Sequence, residues 1–252
     1  MRRLPFIALV LLFALPFVYF GVAAFADQWR FPALWPPGWT LQHWAALGGG
    51  QWGQSAGLSL SLALLTGGIA TALGFWTAHG LSQSKHARRW LLWAYFPYAF
   101  SPVIYAHGLK FFFNSAQLAG QFPGVLLGQL ILCYPFAVLF FFSHFDQRLR
   151  EMEALSYTLG AGPRAVWWRV LLPVSRPALL LCFFQIFLIS WFDYGLSSVI
   201  GLGQVRTLTV AVYQYIMEAN AGLAAVSACL LCLPPLVLLW VNQGFLQKKV
   251  EI

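Results

Sequence analysis

The chain has 252 residues, of which 60% are hydrophobic and only 9% are charged. A compact soluble domain cannot cover so much apolar surface with polar side chains, so the composition excludes an ordinary soluble protein. The formal net charge of +8 does not indicate nucleic-acid binding, because the basic residues are dispersed at the ends of apolar segments. We therefore expect a protein embedded in a lipid membrane, with no nucleic-acid partner.

Six apolar segments are each long enough to cross a bilayer, which takes about 20 mostly apolar residues. They cover residues 4–26, 55–78, 90–113, 122–145, 174–200 and 221–245. Pro102, Pro135 and the pair Pro234 and Pro235 are expected to kink the third, fourth and sixth helices. The sequence thus predicts an all-α, polytopic protein whose residues 1–252 form a single bundle of six transmembrane helices.

Lysine and arginine are distributed unequally between the two sets of connecting segments, and cytoplasmic flanks carry the excess of positive charge. One set contains Arg2, Arg3, Lys85, Arg88, Arg89, Arg148, Arg150, Arg164, Arg169, Arg176, Lys248 and Lys249, and the other contains Arg30, Lys110 and Arg206. This distribution predicts that both termini are cytoplasmic.

The first apolar segment can also be interpreted as a cleaved secretory signal, since it has a basic start and a small-residue ending at Ala24-Phe25-Ala26. Its apolar run is longer than a usual signal core, so we expect a retained helix. The following segment, residues 27–54, carries five tryptophans. Tryptophan prefers the membrane interface, so this segment is expected to lie on the outer membrane surface or against a partner.

The four cysteines, Cys133, Cys182, Cys229 and Cys232, lie inside predicted membrane helices. Thiols in such positions pack as small apolar groups. The last two are spaced like a redox or metal pair, but no histidine or second cysteine pair stands near them in the sequence. We therefore predict no metal site.

A polar island, residues 146–173, separates the fourth and fifth predicted spans. It is interrupted by Gly160-Ala161-Gly162-Pro163 and is expected to stop at Pro173. Glycine and proline in this arrangement allow a short helix before the break to fold back against a second one after it. The pattern predicts a helix–turn–helix with one face projecting into the cytoplasm.

The island resembles the cytoplasmic loop of binding-protein-dependent ABC importer permeases, in which Glu-Ala-Ala is followed by three residues, a Gly, and a Pro thirteen positions after that Gly. Gly160 and Pro173 keep this separation, and Leu159 and Ala161 flank the glycine as in the family. The chain departs from the pattern at the front. Ala154 stands where the family usually has Glu, with Glu153 displaced by one, and Leu155 and Ser156 replace the two alanines.

The resemblance implies a permease subunit of a MetI-like, type I importer in a bacterial inner membrane, with the loop docked as a coupling helix on a cytoplasmic ATPase. It assigns the ATPase contact to Glu153, Ala154, Leu159, Gly160, Ala161, Gly162 and Arg164. The implied partners are a second permease subunit, identical or related, two ATPase subunits and an extracytoplasmic solute-binding protein.

The sequence carries no Gly-Lys-Ser or Gly-Lys-Thr phosphate loop. ATP and Mg are therefore expected on the partner ATPase, and this chain is expected to bind no cofactor and to carry no catalytic residue. A membrane channel or an assembly scaffold without ATPase coupling is the alternative function. Neither would need the loop from Gly160 to Pro173.

Polar side chains inside the spans are candidates for the solute pathway, because they are costly in hydrocarbon. Asp193 either lines the pathway or pairs with Arg206 or Lys110. Gln185 and His107 either line the pathway or form hydrogen bonds between helices.

The segment Asp193-Tyr194-Gly195, followed by Arg206-Thr207-Leu208-Thr209-Val210 and Tyr213, is similar to permeases that handle ferric iron, thiamine or polyamines. That resemblance implies a cationic solute, which the carboxylate of Asp193 would suit. Selectivity in such importers can also reside largely in the binding protein.

Overall fold

A computed structural model describes the backbone of residues 3–27, 29 and 33–247, and the side chains of residues 11–27, 29 and 33–238. Arg2, Arg30, Lys248 and Lys249, which were used to predict the topology, lie outside the described residues, as does the side chain of Arg3. The described part is almost entirely helical, which confirms the predicted all-α class.

The helices follow one another with short connections. In chain order they are α1 Arg3–Ala23, α2 Gln42–Ala45, α3 Gly50–Ser82, α4 Ala87–Tyr95, α5 Pro102–Ser115, α6 Phe122–His144, α7 Gln147–Thr158, α8 Pro163–Val166, α9 Leu172–Trp191, α10 Gly195–Gly201, α11 Leu208–Met217 and α12 Ala221–Gln247. Two 3-10 turns cover Ala46–Gly48 and Phe96–Ala99, and a π-helical turn covers Trp167–Leu171. A pair of antiparallel two-residue strands, β1 Ala26–Asp27 and β2 Gly38–Trp39, follows α1.

Four helices of the described part are long and apolar enough to cross a membrane. They are Gly50–Ser82, Phe122–His144, Pro163–Trp191 and Ala221–Leu238. The third of these joins α8, the π-helical turn and α9 into one continuous helix. All four overlap predicted spans, and they support a polytopic membrane protein. The helices α6 and α12 run on through Pro135, Pro234 and Pro235.

The third predicted span, residues 90–113, is not one helix. The helix α4 passes into the 3-10 turn that contains Pro97, and α5 begins only at Pro102. Phe100 and Ser101 between them are extended, with ψ angles of 149° and 140°. A residue before proline is driven out of the helical region by the proline ring, so Pro102 breaks this segment instead of merely kinking it.

The chain divides into two compact units, and the larger one is Leu60–Val205. One of its apolar clusters is built around the aromatic rings of Phe75, Phe141 and Phe145, all almost fully buried. The helices α3 and α6 approach each other so closely that a Cβ on Gly74 would overlap Ala137. Glycine at this position is therefore required by space.

The smaller unit consists of Met1–Ser59 and Arg206–Ile252. The helix α11, which lies between the predicted fifth and sixth spans, is one of its elements. Thr207 caps α11 by accepting a hydrogen bond from the Val210 N–H at 3.3 Å, and the Leu208 N–H donates to Ser59 Oγ at 2.8 Å. These two bonds satisfy backbone donors that the first turn of a helix leaves unpaired.

Candidate functional site

The predicted polar island begins with α7, an amphipathic helix on one end of the larger unit. Asp146 caps it, because its Oδ1 accepts a hydrogen bond from the Leu149 N–H at 3.0 Å. A side-chain oxygen at this position satisfies an unpaired backbone donor and stabilises the helix start by about 1 kcal/mol. Leu149 and Glu153, four residues apart, are the buried residues of α7. They mark the face that packs inward.

The helix α7 ends in a Schellman turn centred on Gly160. The Gly160 N–H donates to the Tyr157 carbonyl at 3.0 Å, and the Ala161 N–H donates to the Ser156 carbonyl at 3.1 Å. Gly160 has a φ of +82°, a left-handed conformation that costs a residue with a side chain about 1–2 kcal/mol. No described atom lies within 4 Å of where its Cβ would be. The backbone angle, and not space, requires glycine here.

The second helix of the island begins at Pro163, whose ring suits the first turn of a helix. It does not stop at Pro173, as the sequence analysis expected, but continues to Trp191. The π-helical turn Trp167–Leu171 lies immediately before this proline, where a regular α-helix would clash with the ring and lose a hydrogen bond. The part of the island from Pro163 onward is therefore the start of a long apolar helix, and α7 with the Gly160 turn precedes it.

Glu153 faces inward, towards α3. The Nε2–H of His79, in the last turn of α3, donates to both carboxylate oxygens of Glu153, at 3.0 Å to Oε1 and 3.1 Å to Oε2. The Glu153 residue is only 7% exposed. The ring of His79 also contacts the rings of Phe145 and Trp167, with centroid separations of 5.2 and 4.9 Å. This contact fixes α7 to the end of α3.

Large apolar side chains are exposed on the island, among charged ones such as Arg164. Leu155 is 61% exposed, Leu159 is 79% exposed, and Tyr157 and Trp168 are exposed as well. Among the residues predicted to contact the ATPase, Ala154, Leu159, Gly160, Gly162 and Arg164 are exposed, Ala161 is half-buried and Glu153 is buried. In this conformation Glu153 thus lies behind the exposed face. Leu155, Tyr157 and Trp168 were not predicted as contact residues, although Leu155 and Tyr157 lie in the last turn of α7 and Trp168 lies in the π-helical turn of the next helix.

Asp193 lies beyond the other end of the continuous helix, between α9 and α10. Its Oδ2 accepts hydrogen bonds from the Ser197 N–H at 2.9 Å and the Ser197 Oγ–H at 2.7 Å, and its Oδ1 accepts one from the Leu196 N–H at 3.2 Å. An aspartate bonded in this way to the backbone starts a new helix. The predicted fifth span, residues 174–200, is accordingly divided at Asp193.

Gln129 of α6 connects Asp193 to the neighbouring helices and is only 1% exposed. Its Nε2 donates to Asp193 Oδ2 at 3.3 Å. Its Oε1 accepts hydrogen bonds from Ser190 at 2.6 Å and from Thr66 at 3.1 Å. We call Thr66, Gln129, Ser190, Asp193 and Ser197 the polar cluster. It joins α3, α6, α9 and α10 inside the predicted membrane region.

The other two candidate pathway residues do not belong to the polar cluster. Gln185 is exposed and forms no hydrogen bond with the part of the chain that the structure describes. His107 is also exposed, and its Nδ1–H donates to the Val103 carbonyl one turn earlier at 2.8 Å. Within the described part of the larger unit, Asp193 and Lys110 form no ion pair. A role of these residues in a pathway stays a prediction.

No family model matches the chain. It is 25% identical over 202 residues to sulfate permease 2, chloroplastic, of Chlamydomonas reinhardtii, a match that covers 73% of this chain and 55% of that protein. It is 26% identical over 162 residues to the molybdenum transport system permease protein ModB of Mycobacterium tuberculosis, with coverages of 58% and 61%. It is 23% identical over 173 residues to the inner membrane ABC transporter permease protein YcjP of Escherichia coli, with coverages of 67% and 62%.

The chain thus spans 55% to 62% of the length of these three relatives. All three carry the name permease, and one is named as part of an ABC transporter. Together with the long apolar helices, they support the prediction of a transmembrane transport permease of the ABC transporter class.

Proposed function

We propose that this chain is a permease subunit of an ATP-driven importer, that it forms the solute translocation pathway, and that it couples to a cytoplasmic ATPase through the loop of residues 153–177. The observation that carries this proposal is the turn at Gly160. It presents an exposed apolar face, with Leu155 and Leu159, at the end of a helix that the buried contact between Glu153 and His79 holds in place. An exposed apolar patch on a fixed element is typical of a docking surface.

The proposed assembly is a MetI-like, type I importer in a bacterial inner membrane. It contains a second permease subunit, identical or related, two ATPase subunits that bind ATP and Mg, and an extracytoplasmic solute-binding protein. This chain carries no catalytic residue and binds no cofactor. Both termini are cytoplasmic, in keeping with the excess of lysine and arginine on that side.

The proposed bundle crosses the membrane six times. Four crossings are the long helices Gly50–Ser82, Phe122–His144, Pro163–Trp191 and Ala221–Leu238. The helix α1 supplies another, with 21 residues, and the broken pair of α4 and α5 supplies the last. A discontinuous span is compatible with a membrane when its unpaired backbone groups lie within the protein or beside a water-filled cavity.

The geometry gives a mechanical role to the helix Pro163–Trp191. With 29 residues and a rise of about 1.5 Å per residue, it is roughly 40 Å long. It starts at the Gly160 turn and reaches Ser190 of the polar cluster. When the ATPase subunits close on ATP, they move the Gly160 turn as a rigid body. The helix Pro163–Trp191 then transmits this movement to the polar cluster. The contact between Glu153 and His79 carries the same movement to α3.

The solute class is the finer part of the proposal. The sequence resemblance favours ferric iron, thiamine or a polyamine, whereas the relatives named for sulfate and molybdenum transport favour an oxyanion. The side chains favour the anion. Hydrogen bonds from Ser197 and Gln129 occupy the carboxylate of Asp193. The guanidinium of Arg206 lies over the ring of Tyr215 at 5.3 Å, and its buried Nε has no hydrogen-bond partner in the described part of the chain. Ligand screening of the partner binding protein distinguishes the two classes.

Co-purification tests the proposed function. The full-length, tagged chain is expressed with its neighbouring genes and extracted in a mild detergent, and the proteins that remain bound are identified by mass spectrometry. We expect a phosphate-loop ATPase with the wild type and its loss with Leu159→Glu, which places a charge on the exposed apolar face. Leu34→Glu is the matched control, because Leu34 is equally exposed but lies outside the island.

A wild-type chain that purifies intact without any ATPase would contradict the proposal and favour the channel or scaffold alternative. Equal ATPase recovery with Leu159→Glu and Leu34→Glu would retain the importer but remove the Gly160 turn as its contact.

A further inference from the structure

A wide cleft opens beside the last turns of α3, where α3, α4 and α6 meet. Its volume is about 830 Å³. Most of its wall is apolar, and six of its lining residues are Trp76, Gly80, Trp90, Trp93, Tyr134 and Pro135. The indole rings of its three tryptophans are between 60% and 68% exposed. So much exposed indole surface requires an apolar occupant.

The polar groups at the floor of the cleft are already satisfied. The Tyr134 hydroxyl donates to Thr77 Oγ1 at 2.9 Å, and the Thr77 hydroxyl donates to the Leu73 carbonyl at 2.8 Å. Gly80, on the wall, has no described atom within 4 Å of where its Cβ would be. The floor therefore offers no free hydrogen-bonding group to a polar solute, while the wall leaves room for a chain of methylene groups.

Basic residues lie close in the chain to the residues that line the cleft. Ser84 lines the cleft, the exposed Lys85 follows it directly, and the exposed Arg88 and Arg89 lie shortly afterwards in the first turn of α4. Arg89 lies one helical turn before Trp93 on α4, so the two side chains are neighbours on the helix surface. No carboxylate belongs to the lining residues of the cleft in the described chain.

A second cleft of about 430 Å³ adjoins the first through Trp76 and is lined by Arg164 and Trp168. Tryptophan concentrates at the level of lipid headgroups. Basic groups beside membrane helices attract anionic lipids, at about 1 kcal/mol for each Lys or Arg near the surface. An apolar cleft with basic residues close by, at the level of the lipid headgroups, suits a ligand with an acyl chain and a negatively charged headgroup.

We infer that the cleft between α3, α4 and α6 binds an anionic phospholipid. Its acyl chain lies against Trp76, Trp90 and Trp93, and its phosphate lies beside Lys85 and Arg89. This site goes beyond the proposed importer function, because it depends on membrane embedding and not on the ATPase.

Native mass spectrometry of the delipidated complex, containing the full chain, tests the site. Dioleoyl phosphatidylglycerol is compared with dioleoyl phosphatidylcholine, which has the same acyl chains and no net charge, and with inorganic phosphate. We expect phosphatidylglycerol to be retained preferentially. The double substitution Lys85→Gln and Arg89→Gln should weaken that preference by about fivefold for each basic residue removed, and inorganic phosphate should not compete.

Gly80→Leu should narrow the cleft, because the new side chain occupies part of its open wall, and should weaken retention of phosphatidylglycerol. Gly68→Leu is its matched control, since Gly68 lies on the same helix with equally open space but does not line the cleft. A folded Gly80→Leu protein that retains phosphatidylglycerol as well as the Gly68→Leu protein would overturn the inference. So would equal retention of the two lipids, competition by inorganic phosphate, or a disulfide between Trp93→Cys residues of two copies, which would identify a second chain as the occupant.

Discussion

The continuous helix Pro163–Trp191 has a buried or half-buried acidic side chain near each end, and the two are held differently. Glu153, beside its start, accepts hydrogen bonds from the imidazole of His79 alone among the described residues. Asp193, beyond its end, shares donors from Ser197, Leu196 and Gln129. The carboxylate of Glu153 thus depends on a single partner, whereas three residues donate hydrogen bonds to that of Asp193. We therefore expect single substitutions to disrupt the Glu153 end far more than the Asp193 end.

Removal of the Glu153 carboxylate should have the largest effect. Glu153→Ala leaves the partly buried ring of His79 without its carboxylate acceptor, and the loss of a hydrogen bond to a charged group costs up to about 3 kcal/mol. We expect a clear loss of thermal stability of the purified complex, with Glu151→Ala unchanged, because Glu151 is exposed on the same helix. Glu153→Gln keeps an acceptor oxygen and should lose less. Equal melting temperatures for the Glu153→Ala and Glu151→Ala proteins would show that the contact does not stabilise this end.

Substitution of Gly160 sharpens the comparison, because it changes the turn without touching either acid. Gly160→Val forces a β-branched residue to a φ of +82°, at a cost of about 2 kcal/mol, whereas asparagine tolerates that angle. We expect Gly160→Val to abolish uptake in proteoliposomes while ATP hydrolysis continues or the ATPase dissociates. Gly160→Asn should keep coupled transport. Wild-type transport by Gly160→Val would refute a mechanical role for the turn.

The substitution Asp193→Asn should cost less than Glu153→Ala. It keeps the shape and one carbonyl acceptor but places an NH2 group opposite the Ser197 donors, a loss of about 2 kcal/mol. We expect the complex to assemble in reduced yield, and uptake to fall further than yield when Asp193 lines the pathway. Gln185→Leu is the contrast, because Gln185 has no hydrogen bond to the described part of the chain and should not change stability. Loss of the assembled complex with Asp193→Asn would assign the residue a purely structural role.

The smallest effect is expected for Ser190→Ala. Gln129 Oε1 would lose a hydrogen bond of 2.6 Å from Ser190 but keep the one from Thr66 at 3.1 Å, so the loss should be about 1 kcal/mol. The decrease in melting temperature of this variant, relative to that of Ser198→Ala, measures how much stability depends on this one hydrogen bond of the polar cluster. A decrease as large as that of Glu153→Ala would contradict the expectation that single substitutions disrupt the Glu153 end more than the Asp193 end.

The sequence predicted the features that depend on local pattern. Four of the six apolar segments overlap the long helices, and the Gly160-to-Pro163 break became the turn, because glycine and proline act on their own backbone. The positions of the acids were harder to predict. His79 lies 74 residues before Glu153, and Gln129 lies 64 residues before Asp193, so no pattern along the chain connects them. A lone histidine in the last turn of an apolar segment was the only signal for the first contact.

The missed boundaries have equally physical causes. Pro102 was expected to kink the third span. Phe100 and Ser101 before it are extended, so the span is divided into two helices. It expected Pro173 to end the island, but the π-helical turn before that proline allowed the helix to continue. The helix α11 has only 10 residues, so a search for membrane-crossing length could not find it.

Photo-cross-linking from the exposed face of α7 tests the central claim most directly. A benzoylphenylalanine at position Leu155, which is 61% exposed, is introduced into the full chain expressed with its neighbouring genes, and the same probe at Leu41 serves as the control. We predict a covalent adduct between the chain and a phosphate-loop ATPase from Leu155 alone. Irradiated complexes in which the ATPase cross-links equally from both positions, or from neither, would contradict the assignment of this loop as the coupling contact.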